Sequence, residues 1–132
     1  MRVAEAMSKV VVSVATGTTV REACRMMAER NVGAAVVLDD DLPGPGIVTE
    51  RDILRAVAKG IDLDTTAVSE VMTFDARTAT SSWDLETAAE EMVRHGFRHL
   101  IVVDDGGRLA GIVSMRDVVR ARLPQKATRV AS

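Results

Sequence analysis

Tyrosine is absent from this 132-residue chain, and Trp83 and two phenylalanines are the only other large aromatic residues. Its core must therefore be aliphatic. Hydrophobic residues make up 47% of the sequence, with seven methionines beside Val, Ala, Leu and Ile. Cys24 is the single cysteine, which excludes an internal disulfide and a zinc centre built from cysteines. Neither sign of charge dominates. Seventeen basic against nineteen acidic residues leave a formal charge of -2. That excludes nucleic-acid binding driven by bulk phosphate attraction, while leaving room for one local basic pocket. The apolar runs are strand-sized, far short of the ~20 residues of a membrane span. Met1 to Val14 shows no charged stretch followed by an apolar one, so a soluble, cytoplasmic protein is expected. G-x-G-x-x-G and G-x-x-x-x-G-K-[ST] are both missing, and no Ser/His/Asp or Cys/His spacing suits a nucleophile. The expectation is a binding protein, not an enzyme.

What is present is a repeat. Shifted by 65 residues, the chain matches itself over residues 3 to 56 with 15 identities and no gap. Val3-Ala4-Glu5-Ala6-Met7 falls on Val68-Ser69-Glu70-Val71-Met72. Gly46-Ile47-Val48-Thr49-Glu50-Arg51-Asp52 falls on Gly111-Ile112-Val113-Ser114-Met115-Arg116-Asp117. The expected division is repeat 1 over 1–66, repeat 2 over 67–123, and a polar, poorly ordered tail over 124–132.

Each copy reads as turn, strand, helix, strand, strand, helix. Val20, Ala23, Cys24, Met27 and Ala28 form one helical face, and Leu85, Ala88, Ala89, Met92 and Val93 form its counterpart. Thr19 with Glu22, and Asp84, are the expected helix starts. Asn31 and Gly96 are the expected stops. The strand pairs 34–38 with 47–48, and 100–103 with 109–113, are unbroken apolar runs, so both sheet faces should be covered. Final helices are expected near 50–59 and 115–123. The fold class is α/β (α+β): tandem β-α-β-β-α repeats packed sheet against sheet with pseudo-two-fold symmetry, leaving two clefts between the copies as default ligand sites.

The sharpest motif is Gly-Ile-Val-[Thr/Ser]-x-Arg-Asp, met twice where a strand runs into a helix. The glycine lets another group approach the backbone. Thr49 and Ser114 stand at helix starts, where free N–H groups and the helix dipole favour an anion. Asp52 and Asp117 can accept hydrogen bonds from two adjacent hydroxyls, such as those of a ribose. Arg51 and Arg116 add positive charge. The set suits a phosphorylated nucleoside. The same [Ser/Thr]-x-x-Asp spacing is also a capping box, a device that merely starts helices; both readings stay open on the residues alone.

The β-α-β-β-α duplication and the twin signatures resemble a tandem pair of CBS (cystathionine β-synthase) domains, a Bateman module, over about residues 1 to 123. The resemblance implies a regulatory module that senses an adenosyl compound of the AMP, ADP, ATP or S-adenosylmethionine class. It implies that Asp52 and Asp117 hold ribose hydroxyls and that Thr49 and Ser114 lie near phosphate. It further implies phosphate contacts from Arg98 and His99, which open the second strand of their repeat. The family often has Pro shortly after that point; this chain has Val36 and Ile101. A homodimer is implied, as is a regulated target on another chain.

Other features have plainer readings. His95 and His99 are four apart, but Gly96 breaks the helix between them, which disfavours a metal site. Asp39-Asp40-Asp41 reads as a solvated turn, and Trp83 as packing at a helix start. Ile53, Leu54, Val57, Val118 and Val119 are expected on outer helix faces, where they would favour self-association. The alternative function is a structural dimerisation module that binds no ligand.

Overall fold

The computed structural model describes residues 1–124; the rest of the expected tail lies outside the described residues. The described residues form two compact units, one of Lys9–Thr78 and the other of Met1–Ser8 with the described residues from Ala79. Each is described by itself.

In the Lys9–Thr78 unit the elements run β1 (Ser13–Val14), α2 (Val20–Arg30), β2 (Ala34–Val37), β3 (Gly46–Thr49) and α3 (Glu50–Ala58), then a 3-10 turn over Val68–Glu70. The other unit begins with the short helix α1 (Val3–Ala6). It continues through β4 (Thr78–Thr80), α4 (Leu85–His95), β5 (His99–Val103), β6 (Leu109–Ser114) and α5 (Met115–Arg122). Each unit holds a three-stranded sheet, in the order β1-β2-β3 or β4-β5-β6. β1 runs parallel to β2, and β2 antiparallel to β3 with Ala34 opposite Thr49. β5 and β6 are antiparallel with His99 opposite Ser114. Ala110 is an extra residue in that ladder, where the register shifts between Val102 and Val103.

The helix boundaries have local causes. Thr49 and Ser114 begin α3 and α5. Thr19 Oγ1 accepts from Glu22 N at 3.1 Å and so begins α2. Asp84 occupies the cap position of α4, but its side chain makes no cap bond. There the Leu85 N–H donates to the carbonyl of Met1 at 2.8 Å. Asn31 and Gly96 end their helices in the left-handed region, at φ 55° and 74°.

All four residues of β2 are buried. Val20, Ala23 and Met27 of α2 pack with Ala35, Val37 and Val48 in one core, and Leu85, Ala88 and Met92 pack with Leu100, Val102 and Val113 in the other. The expected helical stripe is narrower than the pattern drew it. Ala28 and Val93 are exposed, because at 100° per residue the ninth position has rotated off the face that the first, fourth and eighth residues of the helix bury. Cys24 is half-buried, and burial pushes its thiol pKa up against a weaker opposing pull from Arg21.

Residues 1–8 dock on the body of the second sequence copy, and the equivalent residues 66–73 dock on the body of the first. Ser8 and Ile112 exchange two backbone hydrogen bonds at 2.8 and 3.0 Å, and Thr73 and Ile47 exchange two at 2.9 and 3.0 Å. The signature glycines follow from this pairing. A Cβ on Gly46 would stand 2.5 Å from Met72 Cε and 3.0 Å from the Thr73 carbonyl, and one on Gly111 would collide with the Ser8 carbonyl.

Candidate ligand-binding site

The expected site residues gather at one strand–helix junction in each unit. At the first junction the Thr49 N–H donates to Asp52 Oδ2 at 2.8 Å, and Thr49 Oγ1 donates to the same oxygen at 3.1 Å. In return, the Asp52 N–H points at Thr49 Oγ1 at 3.4 Å. The second junction repeats this: Ser114 N–H to Asp117 Oδ2 at 2.8 Å, and Asp117 N–H to Ser114 Oγ at 3.1 Å. Both are complete capping boxes. The capping function and the carboxylate placement are therefore one arrangement, with the carboxylate held over the helix start by its own cap.

Around that shared frame the junctions differ. Asp52 is half-buried, while Asp117 is only 8% exposed. Arg120 Nη1 reaches Asp117 Oδ1 at 3.3 Å, from an exposed position one turn along. The carbonyl that joins strand to helix comes from Gly33 in the first junction, accepting from Glu50 N at 3.0 Å. In the second it comes from Arg98, accepting from Met115 N at 2.9 Å. Arg98, His99, Ser114, Arg116 and Asp117 thus share one junction; Thr49, Arg51 and Asp52 share the other with Gly33 and Ala34. Arg51, Arg98 and Arg116 are exposed and His99 is half-buried.

Glu91 meets Arg94 at 3.2 Å and His95 at 3.6 Å, both on its own helix. The His95 ring also stacks on Phe97 with centroids 5.5 Å apart. One expectation about neighbours changes. Val118 lies in the core at 7% exposure, not on an outer face, because the cap at Ser114 turns that side of α5 inward. Leu54, Val57 and Val119 are exposed as expected, and Ile53 is half-buried. Sequence reasoning missed Arg120, although Asp-x-x-Arg stands in both repeats as Asp52/Arg55 and Asp117/Arg120. It also missed a reason for Val36: its N–H donates to the Val12 carbonyl at 2.9 Å, a bond that proline cannot make.

Among the described residues no group of three or more His, Cys, Asp or Glu is placed to hold a metal. No described helix is long and apolar enough to cross a membrane.

The chain is 42% identical over 105 residues to an uncharacterized 17.7 kDa protein of Acidianus ambivalens, which is 80% of this chain and 63% of that protein. It thus spans less than two thirds of that relative, and it spans 17% of a CBS domain-containing protein of Arabidopsis thaliana. Among solved structures, a CBS domain protein from Pyrobaculum aerophilum complexed with AMP is 36% identical, with a TM-score of 0.84 over 92% of this chain and 93% of its own. A CBS domain pair in complex with 5′-methylthioadenosine and S-adenosyl-L-methionine is 25% identical, with a TM-score of 0.80 over 92% and 98%. The CBS domain model matches twice, at residues 3–59 and 68–124, and the chain belongs to the CBS domain family as a tandem pair.

Proposed function

We propose that the chain is a regulatory module, not an enzyme, that binds an adenosyl compound at its strand–helix junctions. The carrying observation is the duplicated junction itself: a carboxylate fixed by its own helix cap, beside a hydroxyl and an arginine, in a fold whose solved relatives hold AMP or S-adenosylmethionine. In this reading Asp52 and Asp117 accept from the ribose hydroxyls with the lone pairs that the caps leave over. Thr49 and Ser114, with the N–H groups of the helix starts, face the phosphate or its neutral counterpart. Arg51, Arg98 and Arg116 supply positive charge, and His99 adds a ring N–H donor. AMP, ADP, ATP and S-adenosylmethionine are the candidate ligands.

The module works through partners in this reading. Leu54, Val57, Val119 and Leu123 are each more than half exposed, which supports a homodimer. Ligand binding would then bias a target protein on another chain.

The complete capping boxes favour a second reading, a structural dimerisation module without ligand. A thermal-shift series with AMP, ADP, ATP and S-adenosylmethionine separates the two. A ligand at 100 times its dissociation constant adds about 2.7 kcal/mol of stability. No shift with any of the four, at millimolar ligand, leaves the structural reading standing.

A further inference from the structure

We infer that Arg2–Ser8 is an exchangeable docking segment, and that a second copy of the chain can supply it to the groove formed by Ser81, Trp83, Leu85, Gly111 and Ile112. The chain holds two such segments and two such grooves, and they are equivalent bond for bond. Val3 N–H donates to the Trp83 carbonyl at 2.8 Å, and its counterpart Val68 donates to Thr18 at 2.8 Å. Ala4 donates to Ser81 at 3.0 Å, and Ser69 to Thr16 at 3.2 Å. Leu85 donates to Met1 at 2.8 Å, and Val20 to Thr66 at 2.9 Å. The paired bonds of Ser8 with Ile112 recur between Thr73 and Ile47. Every partner is displaced by 65 residues.

The recognition is therefore mostly backbone. Side chains enter at two points: Val3 or Val68, each fully buried, and Met7 or Met72, each lying against a signature glycine. Both segments satisfy these points with the shared pattern Val-x-Glu-x-Met-[Ser/Thr]. A groove of this kind selects the pattern, not the chain that carries it.

The joint behind the segment permits exchange. The link is Lys9–Val11, because Val12 is already buried with its carbonyl accepting from Val36 N–H; Lys9 and Val10 are exposed. Opening that link releases the segment as one piece. Its contacts are the same in cis and in trans, so their energies cancel, and only the link and the chain concentration set the balance. Because Ile112 stands two residues before Ser114, the exchanged segment would brace the strand that leads into the second junction. The inference itself does not depend on the ligand reading.

The test uses full-length chains with Cys24→Ala throughout. One chain carries Ser8→Cys and another Ile112→Cys; a double variant controls for cysteine geometry by closing within one chain. The two single variants are unfolded, mixed and refolded together at ~1 mM, near the effective concentration of a short tether. The expected result is a disulfide-linked heterodimer whose yield rises with protein concentration and is lost when the Ser8→Cys chain also carries Val3→Glu. Closure of the double variant with no heterodimer in the mixture overturns the inference. A second readout needs no cysteine. Chain refolded concentrated should keep a dimer on rapid dilution that chain refolded dilute lacks, and lengthening Lys9–Val11 with a Gly/Ser insert should remove it. A dimer that dissociates at once on dilution, or one indifferent to the insert, is an ordinary surface dimer and also overturns it.

Discussion

Arg120 takes the oxygen of Asp117 that the helix cap leaves over. With Oδ2 held by the Ser114 N–H and Oδ1 by the guanidinium at 3.3 Å, both oxygens of this nearly buried carboxylate are engaged. Asp52, half-buried, uses Oδ2 for both of its bonds to Thr49. The two signature aspartates thus stand in unequal surroundings. Asp117→Ala should lower the unfolding free energy by about 1–3 kcal/mol, through loss of a cap and an unsatisfied N–H. Asp52→Ala should fall at the low end of that range, since water reaches the site. Asp→Asn at either position keeps an oxygen for the cap and should recover much of the loss. Urea titration of the four variants measures this. Equal losses for the two alanine variants would show that the burial difference carries no energy.

The same pair tests the ligand reading. Asp52→Asn retains the cap yet removes the charge that would hold ribose hydroxyls. It should weaken adenosyl binding at its junction by about 1.5–3 kcal/mol, roughly 10- to 100-fold, with little change in stability. Calorimetry on the folded variant decides it, and unchanged affinity identifies Asp52 as a cap alone.

The signature glycines give a packing prediction. Gly111→Ala drives a methyl group against the backbone carbonyl of Ser8, which cannot move without breaking its pairing with Ile112. Gly46→Ala first meets the flexible end of Met72, which can swing aside. Overpacking of this kind costs about 1–3 kcal/mol. Gly111→Ala should sit at the upper end and Gly46→Ala lower. The two thermal midpoints, compared directly, check the order.

Much of this architecture is legible in the residues, and what is not has a physical cause. Asn31 and Gly96 mark helix ends because few other residues tolerate positive φ. Thr49 and Ser114 mark starts because a hydroxyl there meets free N–H groups. The docking of residues 1–8 on the second copy's body is not legible. A 65-residue offset shows that two segments are equivalent, and equivalence does not say which body each one joins. The glycines of the motif signal close approach, but only the structure shows that the chain's own Ser8 and Thr73 make it. Val118 and Val119 look alike in the sequence, and the cap at Ser114 decides which faces inward. Capping box and ligand site call for the same Thr/Ser and Asp, so the pattern alone could not choose between them.

A pH prediction follows from Asp39. The Thr16 hydroxyl at 2.6 Å, joined by the Asp41 N–H at 3.1 Å, holds the Asp39 carboxyl below the usual carboxylate range. A carboxyl with a depressed folded value adds stability above its unfolded value, and that stability is lost as pH falls through the folded one. Thr16→Val removes the main cause. The wild type should therefore be more stable than Thr16→Val at neutral pH, with the gap narrowing below about pH 4, the ordinary Asp range. Denaturant midpoints from pH 7 to pH 2.5 check this. A gap that stays constant would assign the Thr16 effect to packing.

The sharpest asymmetry lies where the second strand of each copy begins. Gly33 precedes and Ala34 opens β2 in the first junction, and Arg98 precedes and His99 opens β5 in the second. Two small residues that add no side-chain donor thus stand where the other junction has a permanent cation and an imidazole. Arg98 is exposed and His99 half-buried, and Glu91 of α4 meets Arg94 and His95 on its own helix. A phosphate placed there would meet the guanidinium directly and would favour the charged form of His99. The junction carrying Arg98 and His99 should therefore prefer a phosphorylated adenosyl ligand such as AMP. The other should bind it more weakly or take an uncharged adenosyl group. Calorimetry with AMP should resolve two unequal sites, with Arg98→Ala removing the tighter one. Raising the salt should weaken that site most, because an exposed guanidinium–phosphate contact is screened within about 10 Å at 0.1 M ionic strength. Two equal sites, both indifferent to Arg98→Ala and to salt, would show that this local difference does not govern binding.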